Sequence, residues 1–326
     1  MNNRRKLLLG LGAGALAAPF RSLAQTQKVH RVGILFGGST LRTGRVTREF
    51  QEELGRLGYI EGQNLAIIQR QADLRLERLP ALAAELVAEH VDVILATSTM
   101  QVQAARQATS SIPIVFVLVT DPVGMGFVQS LARPGFNMTG TTNVNIELSG
   151  KRLEILKELA PKASRVAVLV SDEPNVPIQV EQIRIGAKQL GITIQTTQVS
   201  RREDFEAVGK QLRAWRTDAL LAVESTANNY NAKLLGEFAA HVRLPAIYVR
   251  GNYIDEGGLI SYGANAAALY RRAAHFVDRI LKGAKPADLP VELPTHYEMV
   301  INMKAARSLG IKVPQSLLLR ADRVIE

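Results

Sequence analysis

Hydroxyl, acidic and amide side chains recur at one kind of place in this sequence, just after short runs of apolar and β-branched residues. Ser39 and Thr40 follow Val32 to Phe36, Thr97, Ser98 and Thr99 follow Val91 to Ala96, and Asp121 follows Ile112 to Val119. Later, Asp172, Glu173 and Asn175 follow Arg165 to Val170, and Glu224, Ser225 and Thr226 follow Ala219 to Val223. Arg250, Asn252 and Tyr253 follow Pro245 to Val249. These residue types suit binding: carboxylates accept from an ammonium, arginine donates to a carboxylate, and hydroxyls do either. Thr97 to Thr99 also precede a helical pattern, whose first backbone N–H groups would hold a carboxylate. Singly, each Ser or Thr reads as a helix cap; as a set they read as a binding surface. Asp121, before Pro122, reads equally as a binding acid or a turn former. Arg250 reads as a partner of Asp255 or Glu256 as well as of a ligand. Tyr253 and Tyr262 read as an apolar wall or as plain core.

Catalytic signatures are scarce. His30, His90, His241, His275 and His296 are isolated, without the spacing of a metal-binding pair. There is no G-x-S-x-G elbow and no P-loop. Gly124 and Gly126 lack a third glycine, and Gly37-Gly38 fits a phosphate loop no better than a tight βα turn. The absence of cysteine closes disulfide, thiolate-metal and cysteine-nucleophile chemistry, and lipid attachment at a processed cysteine. No metal or cofactor is expected. An α/β enzyme using an acid pair such as Asp172 and Glu173 stays open as an alternative.

The elements that must position these residues alternate strand and helix. Strands are expected at Val32 to Phe36, Leu65 to Arg70, Val91 to Ala96, Ile112 to Val119 and Met138 to Thr142. Helices are expected at Thr47 to Leu57, Leu79 to Glu89 and Met100 to Ala108, with a short one at Gly126 to Leu131. A second series runs through helices at Glu147 to Leu159, Ile178 to Leu190, Arg202 to Trp215, Asn229 to His241 and Ala266 to Leu281. Its strands are Arg165 to Val170, Ile192 to Gln198, Ala219 to Val223, Pro245 to Val249 and Leu259 to Tyr262. This grammar implies α/β architecture: two doubly wound, Rossmann-like parallel sheets with a hinge near Asn143 to Gly150. In such sheets the strand C-terminal ends share one edge, and ligands bind there. Two edges facing each other make a cleft.

The chain has 326 residues, 47% of them hydrophobic, enough for two domains with sizeable cores. The formal net charge is +10, part of it at Arg4, Arg5, Lys6 and Arg21 and the remainder spread out. No basic block is interleaved with aromatics, so nucleic acid is not an expected partner. Residues 1–24 read as an export signal, with basic Arg4-Arg5-Lys6, apolar Leu7 to Ala18 and a Ser22-Leu23-Ala24 cleavage pattern. Arg4-Arg5 admits the twin-arginine route beside general secretion. The expected location is periplasmic, with no stable membrane anchor once the signal is removed.

Four stretches carry a resemblance: Asp121-Pro122-Val123-Gly124, Leu131 to Gly140 (LARPGFNMTG), Gly257 to Gly263 (GGLISYG) and Lys282 to Pro290 (KGAKPADLP). With them, residues 29–326 resemble the ABC transporter substrate-binding family of the tryptophan/tyrosine-transport type, which has the type I periplasmic-binding-protein fold. The resemblance implies lobes of residues 29–145 plus 264–292 and 146–263 plus 293–326. Ala266 to Leu281 would return to the first lobe and His296 to Ile301 rejoin the second. It implies capture of an amino acid or related small carboxylate and delivery to an ABC permease; a periplasmic sensor of the same fold is the alternative. As pocket walls it supports the loops at Ser39, Thr97 to Thr99, Asp121, Asn143, Asp172 to Asn175, Glu224 to Thr226 and Arg250 to Tyr253. The ligand carboxylate would sit at Thr97 to Thr99, and Asp121 or Glu224 would take its ammonium. Where family members commonly carry Asn-Pro, this chain has Ser171-Asp172-Glu173-Pro174-Asn175, a departure that bears on ligand preference.

Overall fold

The computed structural model describes residues 28–38, 40–143 and 146–326, with backbone only for 40–46. The expected export signal, Ser39 and the side chain of Thr40 lie outside what is described. Among the described residues no helix is long and apolar enough to cross a membrane.

The first series of strands forms one sheet. β1 (His30–Phe36), β2 (Leu65–Gln71), β3 (Val93–Ala96), β4 (Ile114–Val119) and β5 (Met138–Thr142) lie in the order β2-β1-β3-β4-β5, all parallel. Alternate side chains leave a strand on opposite faces. Val32 and Ile34, Val93 and Leu95, and Val115 and Val117 pack under α1 (Thr40–Arg56), with Phe50 and Leu54 on its inner face. Leu35, Ile94, Ala96, Ile114 and Phe116 face α2 (Leu79–Ala88) and α3 (Thr99–Ala108). Burial of each such side chain contributes about 1.5–3 kcal/mol.

The second series builds a larger sheet. It uses α4 (Ser149–Leu159), β6 (Arg165–Leu169), α5 (Val176–Gln189), β7 (Thr193–Thr197), α6 (Asp204–Ala214) and β8 (Ala219–Ala222). α7 (Thr226–Tyr230), α8 (Ala232–Val242), β9 (Ala246–Tyr248), α9 (Asn252–Asp255) and β10 (Ile260–Ala264) follow. α10 (Ala266–Leu281) then leaves this sheet and packs on the first one. Its Leu269, Ala273, Phe276 and Val277 share a core with Phe50 and Leu54. Glu49–Arg271 at 2.6 Å and Glu53–His275 at 3.1 Å border that seam. Beyond Glu292, which bridges to Thr141 of β5, the chain returns as β11 (Tyr297–Asn302), α11 (Met303–Leu309), α12 (Gln315–Arg320) and β12 (Arg323–Ile325). The sheet order is β12-β11-β10-β9-β8-β6-β7.

Beyond an earlier start of α1, at Thr40 rather than Thr47, and the unexpected α9, α11, α12 and β12, the structure departs from the sequence reading in three further ways. Gly126 to Leu131 is not helical. Asp121 accepts from Gly124 N–H at 2.8 Å, Pro122 C=O accepts from Phe127 and Val128, and Gly126 has φ +65°, so the segment closes as turns. The helix expected at Asn229 to His241 is two helices, broken at Asn231 (φ −93°, ψ 19°). The second sheet is not wholly parallel: β11 enters from the first lobe and so runs against β10, Ile260 opposite Ile301 and Ala264 opposite Tyr297.

Candidate functional site

The C-terminal ends of β3 and β8 meet across the space between the sheets. Each strand ends in a Ser/Thr-bearing turn that opens a helix: Thr97-Ser98-Thr99 before α3 and Glu224-Ser225-Thr226 before α7. The Ser98 and Thr226 hydroxyls lie 2.9 Å apart, both buried. Beside them opens a cavity of about 590 Å³ lined from both lobes. Phe36, Thr97, Ser98 and Tyr270 line it from the first lobe and α10; Thr226, Asn229, Tyr230 and Arg250 line it from the second. Carboxylates of Glu49, Asp255, Glu256 and Glu298, with Arg323, complete its charged border.

The charges under this cavity are paired. Arg250 Nη2 donates to Glu224 Oε1 at 2.7 Å, with the two side chains 12% and 3% exposed. Arg250 therefore pairs with Glu224, not with Asp255 or Glu256. Asp255 pairs with Arg323 at 2.7 Å, and Glu298 accepts from Asn265 at 2.5 Å. Burial pushes the Glu224 carboxyl up, against the opposing pull of Arg250, Asn229 and Arg152. The wholly buried Arg152 donates through Nε to Tyr262 C=O at 2.7 Å. Burial lowers its pKa to about 10, with Glu224 pulling it back up. A buried charge without its partner is costly, so these groups act as a unit.

Of the residues singled out by sequence, Thr97, Ser98, Thr226 and Arg250 line the cavity, as does Asn252. The others stand behind it or away from it. Thr99 is buried as the first residue of α3. Glu224 lies beneath Arg250, outside the cavity wall, so neither acid expected to take an ammonium reaches the cavity. Asp121 is the second of these. It sits in the left-handed region (φ +49°), closes its own turn and lines a separate cavity of about 100 Å³ with Thr120, Thr142 and Glu147. Asn143 is a hinge staple: its amide donates to Leu118 C=O at 2.7 Å and pairs with the Thr120 hydroxyl. Asp172 is exposed. Asn175 donates to Glu224 C=O at 3.0 Å, and Ser225 caps α7 by accepting from Asn228 N–H at 3.1 Å. Tyr253 is fully buried, stacked on Tyr248 at 4.8 Å with its hydroxyl on Asn229 Oδ1 at 2.9 Å. Tyr262 packs at the edge of the second-lobe core beside Tyr297.

Glu173, in the turn after β6, has its own task. Both Glu173 oxygens accept from the first turn of α7, Thr226 N–H at 2.9 Å and Ala227 N–H at 2.8 Å. That helix start is closed by the protein's own carboxylate. The Ser98 side chain, by contrast, makes no cap hydrogen bond to α3. Sequence reasoning missed Phe36, Tyr230 and Tyr270, whose apolar character hides them among core residues. It also missed Asn265, the cap of α10 just after β10, and Glu298 and Arg323 on β11 and β12, none of them in a hydroxyl-rich turn.

Comparison with known proteins bears on this geometry. Residues 43–325 match the family model of the ABC transporter substrate binding proteins. A tyrosine-binding protein of Clostridioides difficile (strain R20291) is 28% identical over 270 residues, 82% of this chain and 77% of that one. The structure of an ABC domain in complex with L-Trp from Streptococcus pneumonia superposes with TM-score 0.83 at 26% identity, covering 91% of this chain and all of the other. The ligand-free, open structure of a substrate-binding protein with adhesive properties from Clostridium difficile gives TM-score 0.67 at 25% identity, over 91% of this chain and 99% of that one. At similar identity, the chain superposes more closely on the first structure than on the second.

Proposed function

The chain belongs to the ABC transporter substrate-binding proteins, and we propose that it captures an amino acid in the interlobe cavity and hands it, without turnover, to an ABC permease after export to the periplasm. The observation that carries this reading is the meeting of Ser98, Thr226 and the Glu224-held Arg250 around one cavity walled by both lobes. Its volume of about 590 Å³ is in the range of small-molecule sites, roughly 300–1,000 Å³. The ligand carboxylate goes to Arg250 and the uncapped start of α3, with the Ser98 and Thr226 hydroxyls beside it. The ammonium turns towards the acids of the border, Asp255 and Glu298. Phe36, Tyr230 and Tyr270 offer an apolar wall to the side chain, which favours an aromatic or large apolar amino acid. The named ligands of the relatives, tyrosine and tryptophan, point the same way.

Charge-assisted hydrogen bonds contribute about 1.5–3 kcal/mol each. A few of them with apolar burial reach about −8 kcal/mol, which is micromolar affinity. We take the closing bodies to be residues 29–145 with 264–292, and 146–263 with 293–326; the packing of α10 on α1 supports that division. A thermal-shift panel of amino acids, small carboxylates, nucleosides and sugars tests the reading, because a ligand that binds only the folded chain raises its melting temperature. A rise with L-tyrosine or L-tryptophan is expected. A rise confined to sugars or nucleosides contradicts it.

A further inference from the structure

We infer that Tyr230 is the positioning residue that couples ligand capture to closure: its ring is a wall of the cavity while its hydroxyl docks in a slot of the opposite lobe. The inference rests on the cavity being the ligand site. Tyr230 ends α7 at the break before Asn231, on the second lobe. Its hydroxyl accepts from Gly37 N–H at 3.1 Å and from Gln101 Nε2 at 3.0 Å, both on the first lobe. Its ring meets Phe36 edge-on, with centroids 5.2 Å apart and planes at 72°. The slot exists because β1 runs out into two glycines. A Cβ on Gly37 would stand 2.6 Å from the Tyr230 ring and 2.8 Å from Gln101 Nε2, and one on Gly38 would stand 2.9 Å from the ring. This gives Gly37-Gly38 a use that neither a phosphate loop nor a tight turn supplies.

Every partner in this latch is a protein group, and the Ser98–Thr226 hydroxyl pair lies along the same seam. Burial also pushes the Tyr230 phenol up to about 12, so it is neutral across ordinary pH. A ligand that packs on the Tyr230 ring therefore packs on a side chain fixed to both lobes. Binding and closure draw on the same residue, which is the condition for a ligand to favour one of two states. One lost hydrogen bond shifts a two-state ratio by up to about tenfold.

The chain contains no cysteine, so single labels can be placed on exposed positions of each lobe, as Glu61→Cys and Lys188→Cys. The distance distribution between them is measured without amino acid, in the parent, in Tyr230→Phe and in Gly37→Ala. The parent is expected to hold a closed population, and each variant to lower its closed-to-open ratio by about tenfold with melting temperature little changed. Tyr230→Phe is then expected to weaken L-tyrosine about tenfold. Identical distributions in parent and both variants overturn the inference. A shift in distribution with no L-tyrosine binding by any of the proteins supports the latch and refutes the amino-acid reading alone.

Discussion

The two lobes carry the same device in different states. In each, an aspartate just before the third strand of its series holds the start of the first: Asp92 accepts from Arg31 N–H at 2.7 Å, and Asp218 from Ser164 and Arg165 N–H at 2.8 and 2.9 Å. In each, that third strand ends in a Ser/Thr-bearing turn at the start of a helix, and the two turns touch at Ser98 and Thr226. The difference lies in what meets the helix starts. In the second lobe Glu173 and Ser225 take the first N–H groups of α7. In the first lobe the corresponding Ser98 side chain makes no cap hydrogen bond to α3. In the proposed binding mode this difference gives the cavity a direction, with the anionic end of the ligand at the first lobe and Arg250 reaching over from the second.

Breaking the pair beneath the cavity has the largest expected effect. Arg250→Ala takes from the buried Glu224 its ion-pair partner and leaves it Asn229 and the more distant Arg152, so urea denaturation should report a loss of up to about 3–5 kcal/mol, together with loss of amino-acid binding. The double variant Arg250→Met with Glu224→Leu should regain only part of the stability, because the buried Arg152 then loses the Glu224 charge, and none of the binding. Next comes the plugged helix. Glu173→Ala strands the buried Thr226 N–H and the half-buried Ala227 N–H, and denaturation should report a loss of about 1–3 kcal/mol. Stability unchanged by Glu173→Ala would mean that the plug is not what separates the lobes. Ser98→Ala sharpens the contrast from the other side: about 1 kcal/mol or less in stability, but several-fold weaker binding by calorimetry, since it touches only the open helix start and the bridge.

The smallest effect is in acid. Burial tends to raise the Asp218 pKa, but the N–H groups of Ser164 and Arg165 outweigh it and hold the carboxyl below its ordinary 3.8. A depressed folded pKa stabilises above the unfolded value, and that contribution is lost as pH falls through the folded one. The stability of the parent should therefore drop faster than that of Asp218→Asn below about pH 4.

The strands were legible in the sequence because a parallel sheet covered on both faces needs unbroken apolar runs such as Ile114 to Val119, and only strands have that composition at that length. α10 was legible to the residue, since its apolar face and its flanks coincide. The Gly126 to Leu131 segment was misread because its apolar residues are held by hydrogen bonds to the Asp121 and Pro122 oxygens, which hydrophobic pattern does not record. For the site, strand ends indicated Ser98, Thr226 and Arg250. They could not separate these from Asn143, Ser225 or Tyr253, polar residues at equivalent strand ends but spent on hinge, cap and core. Glu224 read as a ligand acid because its partner, Arg250, lies 26 residues away and meets it only when β8 and β9 pair. Tyr230 carried no signal, because its role depends on how one lobe sits on the other.

The account stands or falls on calorimetric titration of L-tyrosine and L-tryptophan into the parent chain and into Ser98→Ala and Arg250→Ala. It predicts saturable one-site binding in the micromolar range for at least one of the two, weakened several-fold by the first substitution and abolished by the second. Binding of the same strength in all three proteins, or no heat with either amino acid in the parent, would contradict it.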